Sequence, residues 1–211
     1  MLALLLLAAA PAYARDATPI AVAGRERIPI EQRASAATHS VGITFAYLAE
    51  TGWTKEDIFP AVAQIARIFD QCEVALETAE LVRVAAPDRF RHFLTPVSRQ
   101  LAAALQLAKP TVYFVDGMRQ RPAFDAEAIG RGNSRTRPEL ADTVWVTRGT
   151  RDLGIALAHE LAHVLMDSAD HLDEPGNLMR EDTAPENTRL SDSQCALLRR
   201  TGSANGLLKR R

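Results

Sequence analysis

Apolar positions recur along this chain with two different periods, and the period marks each element. Residues 41–48, with Val41, Ile43, Phe45 and Tyr47, are rich in β-branched and aromatic side chains and read as a strand. Gly52 and Trp53 turn the chain, and Thr54, followed by Glu56 and Asp57, opens a helix by N-capping. Ile58, Val62, Ile65, Ala66 and Phe69 then recur at helical spacing as far as Cys72. Residues 74–84 intersperse apolar side chains with Glu77 and Arg83 and predict a second strand. Residues 87–108 return to the helical period, with Phe90, Phe93, Leu94, Val97, Leu101 and Leu105 on one side. A short apolar run at 111–116, stopped by Gly117, has the character of a strand from the middle of a sheet. Residues 124–132 are irregular and glycine-bearing, and 143–147 form a last strand. Thr150 reads as the N-cap of a helix that is apolar at almost every position from Leu153 to Met166, and Ser191 as the N-cap of a closing helix.

The ends of the chain have a different texture. The first fourteen residues carry a short apolar core and the small-x-small ending Ala12-Tyr13-Ala14, which reads as a signal peptide cleaved before Arg15. The competing reading is a buried N-terminal helix. Residues 15–37 are polar, alanine-rich and aperiodic, as expected of a linker or short pro-segment. That stretch has no cysteine to block a metal, and Asp16 and Glu26 are only nominal donors. The domain proper is expected at 38–205, with 206–211 a flexible tail. No run after the signal is long enough to span a bilayer as an integral segment. With 47% hydrophobic and 24% charged residues and a formal net charge of -1, neither a nucleic-acid partner nor an anionic membrane is implied. An exported, periplasmic or secreted location makes the two cysteines, Cys72 and Cys195, candidates for one disulfide; two separate thiols are the alternative.

The chemistry concentrates in the apolar helix. His159 and His163 lie four apart, and on a helix such residues project from one face a turn apart, so both imidazoles reach one ion. Zinc takes imidazole nitrogen readily, and a catalytic zinc uses three protein ligands with water in the fourth position. Glu160, next to the first histidine, is placed to take a proton from that water, which is the logic of the H-E-x-x-H spacing. Buried polar groups left unpaired cost roughly 1–3 kcal/mol each, and one metal ion would satisfy all three. Beyond Asp167 and Ser168, which favour a turn, His171 is the third candidate ligand, with Asp170, Asp167 and Asp173 as competing oxygen donors.

Downstream, Glu174-Pro175-Gly176-Asn177-Leu178-Met179 is a Pro-Gly turn leading into a methionine. Here the sequence resembles the metzincin clan of zinc metallopeptidases, whose pattern H-E-x-x-H-x-x-G-x-x-H is followed by a methionine-containing turn. His159, Glu160 and His163 match, and Met179 corresponds to the turn methionine. Met166 stands where the clan has glycine, and His171 comes two residues later than the pattern, which would place the third ligand at Ala169. The resemblance implies an α+β fold in which a mixed twisted sheet packs on helices including a central zinc-binding helix. It implies one catalytic Zn²⁺, a peptide or protein substrate, a general base at Glu160 and support of the site by Met179. It also implies, by position, that residues 126–132 line the substrate cleft as an edge strand. Two other classes stay open: an exported zinc-binding protein that does not cleave, and a zinc amidase acting on a non-protein substrate.

Overall fold

A computed structural model describes residues 18–30, 36–119, 128–131 and 138–211. The expected signal peptide at 1–14, and Asp16, lie outside them.

Six strands form the main path of a mixed sheet: β1 (Ala21–Arg27), β3 (Val74–Ala85), β2 (His39–Leu48), β5 (Thr111–Val115), β8 (Thr143–Thr147) and β7 (Ala128–Arg131), in that spatial order. The four inner strands β3, β2, β5 and β8 run parallel, while β1 and β7 close the two edges antiparallel. A short β9 (Lys209–Arg210) pairs with the start of β2, and β4 (His92–Phe93) pairs with β6 (Gly117–Met118) apart from the sheet.

Side chains alternate across the inner strands, so each strand feeds two cores. Phe45, Val112, Phe114, Val144 and Val146 point to one face, packed beneath α1 (Lys55–Asp70), α3 (Leu153–Met166) and α4 (Asp192–Ala204). Ala46, Tyr113, Val115 and Trp145 point to the other, covered by Phe90, Phe93 and the helix α2 (Thr95–Leu105). Burial on both faces is why 111–115 and 143–147 are buried throughout and lack a polar alternation. Trp145 stacks on Tyr113 at 4.2 Å between ring centres, and its indole N–H is satisfied by Thr143 Oγ1 at 3.0 Å.

Local capping sets the helix starts. Thr54 accepts from the Asp57 N–H while the Asp57 carboxylate accepts from the Thr54 N–H, a reciprocal capping box. Ser191 and Gln194 do the same for α4. The expected Thr150 cap of α3 is corrected: Thr150 N–H bonds back to Thr147 in a turn after β8, and the helix begins at Leu153 after Asp152.

Three further expectations are corrected. The helix expected over 87–108 is a 3₁₀ turn at Asp88–Arg91, the two-residue β4, and then α2. Pro96 explains this, because inside a longer helix it would lack a hydrogen bond and clash with the preceding turn, whereas near a helix start its missing N–H is harmless. Part of the expected linker is β1, paired with β3; it is almost wholly exposed, so no apolar alternation announced it. Glu26 on that strand pairs with Lys55 at 3.3 Å. Part of the expected flexible tail is β9, held by buried Leu207 and Leu208. The edge strand implied at 126–132 is present as β7, while the other residues of 124–132 lie outside the described set.

Candidate metal centre

α3 is buried along most of its length, packed against α1 and α4. Close packing needs Gly154, since a Cβ there would lie 2.7 Å from the Gln64 Cβ on α1. The helix ends at Asp167, in the left-handed region at φ 49°, which Asp tolerates better than most residues because its short side chain bonds locally. The chain then reverses through Ser168–Asp170, where Ser168 Oγ bridges Asp170 Oδ2 at 2.8 Å and the Asp170 N–H at 3.0 Å. Asp167 therefore starts the reversal that returns His171 to the cluster.

His159, His163 and His171 converge, with one ring nitrogen from each lying within 4.8 Å of the others. His163 Nε2 stands 3.0 Å from His159 Nε2 and 3.2 Å from His171 Nε2. His159 is buried at 4% exposure, His163 is half-buried and His171 is exposed, so the cluster opens to solvent on the His171 side. Glu160 is half-buried beside His159.

The outer ring nitrogens decide the tautomers. His159 Nδ1 is 2.7 Å from the Leu178 carbonyl, and His163 Nδ1 is 2.7 Å from the Ser168 carbonyl. A carbonyl oxygen only accepts, so both Nδ1 atoms carry the proton and both neutral rings turn a bare Nε2 lone pair toward the common point. Burial lowers the His159 pKa from 6.5 to about 4 and lowers that of His163 as well, so a proton is disfavoured there. The facing lone pairs of His159 and His163, 3.0 Å apart, repel unless a cation lies between them. The edge of a tetrahedral shell with zinc–nitrogen bonds of about 2.05 Å is about 3.3 Å, close to these separations. The residues fit a divalent metal with imidazole ligands.

Among the described residues the convergent group consists of these three histidines. Of the competing donors, Asp167 caps α3, Asp170 is held by Ser168, and Asp173 pairs with Arg180 at 3.0 Å; none joins the group. His92, whose pKa burial lowers, belongs to β4 and not to the cluster. Met179 is buried at 1% exposure in the core beneath α3, and its neighbour Leu178 supplies the carbonyl that holds His159. Cys72 and Cys195 form a disulfide joining the end of α1 to α4. Sequence reasoning missed the Ser168 and Leu178 carbonyls, because a main-chain acceptor has no residue-type signature. It also missed Asn177 and Gln194, whose amides brace the turn beneath the histidines. The S-x-x-Q spacing from Ser191 to Gln194 was the available signal for the latter.

No protein-family model matches the sequence, and no curated protein does. Among solved structures, the chain is similar to metalloproteinase-II from Bacteroides fragilis, with a TM-score of 0.55 at 17% sequence identity, over 83% of this chain and 57% of the other. This chain thus spans little more than half the length of that protein. The likeness is one of fold: a mixed α/β architecture with a twisted sheet packed on helices.

Proposed function

We propose that this chain is an exported zinc-dependent, metzincin-like metallopeptidase that hydrolyses peptide bonds. The observation that carries the reading is the convergence of His159, His163 and His171 with Glu160 on the same helix, directly after the first of them. The metalloproteinase with a similar fold supports a peptide substrate. The disulfide, and the lack of any described helix long and apolar enough to cross a membrane, are compatible with export through a signal at 1–14.

His159, His163 and His171 would hold the zinc ion, with Met179 in the supporting turn. When bound, the ion supplies a Lewis acid that lowers the pKa of water to about 7 and polarises a carbonyl. Three neutral imidazoles leave its double charge undiminished by ligand anions. The Glu160 carboxylate accepts a proton from the attacking water as the water oxygen bonds to the scissile carbon. As the carbon–nitrogen bond breaks, Glu160 returns that proton to the leaving amine, and the water's second proton stays on the acyl product, so a carboxylic acid and an amine are released. β7, among the described residues the last strand on its side of the sheet and adjacent to α3, offers an edge to which an extended peptide can add by backbone hydrogen bonds.

The test compares wild type with Glu160→Gln for bound zinc and for cleavage of casein and a peptide library, with and without chelator. Both should hold one zinc per chain, while the variant loses cleavage by a factor on the order of 10²–10⁴. Unchanged cleavage in the variant removes Glu160 from the chemistry. Zinc without cleavage of any peptide by the wild type leaves a binding protein or an amidase of non-protein substrates.

A further inference from the structure

The turn that carries Leu178 is held from behind by a pair of amides, one on the turn and one on α4. Asn177 is buried at 3% exposure, with its Nδ2 donating to Gln194 Oε1 at 3.0 Å while Gln194 Nε2 donates to Asn177 Oδ1 at 3.1 Å. Asn177 Oδ1 also accepts the Met179 N–H at 2.8 Å, and Gln194 Oε1 accepts the Ser191 N–H at 2.8 Å. Gln194 therefore serves two ends at once, closing the capping box of α4 and gripping the turn.

The Met179 N–H and the Leu178 carbonyl belong to one planar peptide unit and point in opposite directions. On one side this unit is fixed by Asn177 Oδ1, and on the other it accepts the His159 Nδ1 proton at 2.7 Å. The next carbonyl, that of Met179, accepts the Leu172 N–H at 2.8 Å, one residue beyond His171. Two successive peptide units, Leu178–Met179 and Met179–Arg180, thus hold the partner of the first ligand and the anchor of the third. Donation of the N–H to Asn177 also polarises the Leu178 carbonyl, which makes it a better acceptor for the imidazole.

We infer that Asn177, locked by Gln194, is a positioning residue that sets the tautomer and aim of His159 through the Leu178–Met179 peptide, so that α4 tunes metal affinity without touching the metal. This rests on the metal reading of the histidine cluster. Partners of metal-bound histidines are typically worth 10–100-fold in affinity.

The experiment measures zinc affinity by competition with a chromophoric chelator, the visible spectrum of the Co²⁺-loaded protein, and apo-protein melting. Variants are Asn177→Ala, Asn177→Asp, Gln194→Ala and, as a control, Thr54→Ala, which loses the distant cap of α1. Asn177→Ala should weaken zinc binding about 10–100-fold and alter the cobalt bands. Asn177→Asp, which keeps the acceptor for Met179 but sets a carboxylate oxygen against Gln194 Oε1 where the Nδ2 donor was, should recover only part of that loss, and Gln194→Ala should fall between wild type and Asn177→Ala. Thr54→Ala should lower melting and leave affinity and spectrum unchanged. Should Asn177→Ala not fold, Gln194→Ala decides the matter. Variants that melt lower but bind zinc and absorb as wild type does would overturn the positioning role alone. A wild type that takes up neither metal would bring down the zinc reading, and this inference with it.

Discussion

Burying His159 makes stability depend on pH in a window set by its two pKa values. Its ordinary pKa is 6.5 and burial lowers the folded-state value to about 4, so between these values the unfolded chain binds the proton and the folded chain does not. The contribution is fully present above 6.5 and disappears as pH falls through 4. At about 1.4 kcal/mol per pH unit this amounts to roughly 3 kcal/mol for the metal-free protein. Denaturant unfolding of the apo form from pH 8 to 4 should show that loss, and His159→Gln, which cannot take the proton, should show a shallower slope in the same window. Equal slopes would mean that other groups dominate. The residues of this centre were legible because a helix turns a spacing of four into a shared face. What held their Nδ1 atoms was not, since both acceptors are backbone carbonyls, one brought in by the turn at Asp167 and the other that of Leu178, nineteen residues from His159.

At the scale of the element, the end of α3 carries a testable strain. Asp167 adopts φ 49° to reverse the chain toward His171, a conformation that glycine takes freely and a β-branched residue takes poorly. Asp167→Gly should unfold within about 0.5 kcal/mol of wild type, whereas Asp167→Val should cost on the order of 1–2 kcal/mol. Because the same reversal returns His171, Asp167→Val should also weaken zinc binding, which separates it from a merely less stable helix. Comparable stability and affinity for the two variants would dissociate the reversal from ligand placement. Elements with their own local signal were readable in advance: α1 has Thr54 and Asp57 at its start and an apolar stripe, and β5 has its unbroken apolar run. Elements whose signal is tertiary were not. β1 exists because the edge of β3 accepts it, and α2 is shortened because Pro96 is accommodated best in the first turn of a helix.

In the molecule as a whole, two of the helices on the histidine-bearing side of the sheet, α1 and α4, are joined by one covalent link. The Cys72–Cys195 disulfide closes a loop with a sequence separation of 123, enclosing β3, β5, β7, β8 and the whole of α3. In the chain-entropy account a loop of this size is worth up to about 5 kcal/mol through restriction of the unfolded state, and removal of such bridges typically costs 2–5 kcal/mol. The native joint has other supports. Gln71 donates to the Thr188 carbonyl at 2.7 Å and accepts the Leu190 N–H at 3.3 Å, and Arg199 donates to the Cys72 carbonyl at 2.7 Å. These bonds do not involve sulfur, so the folded arrangement of α1, α4 and the turn they hold should persist without the bridge. A Cys72→Ala/Cys195→Ala protein should therefore unfold at a denaturant midpoint lower by an amount equivalent to about 2–5 kcal/mol, while its zinc affinity measured under native conditions stays within about threefold of wild type. Loss of affinity in step with loss of stability would show instead that the bridge acts in the folded state, holding Gln194 and hence the Asn177 turn in place.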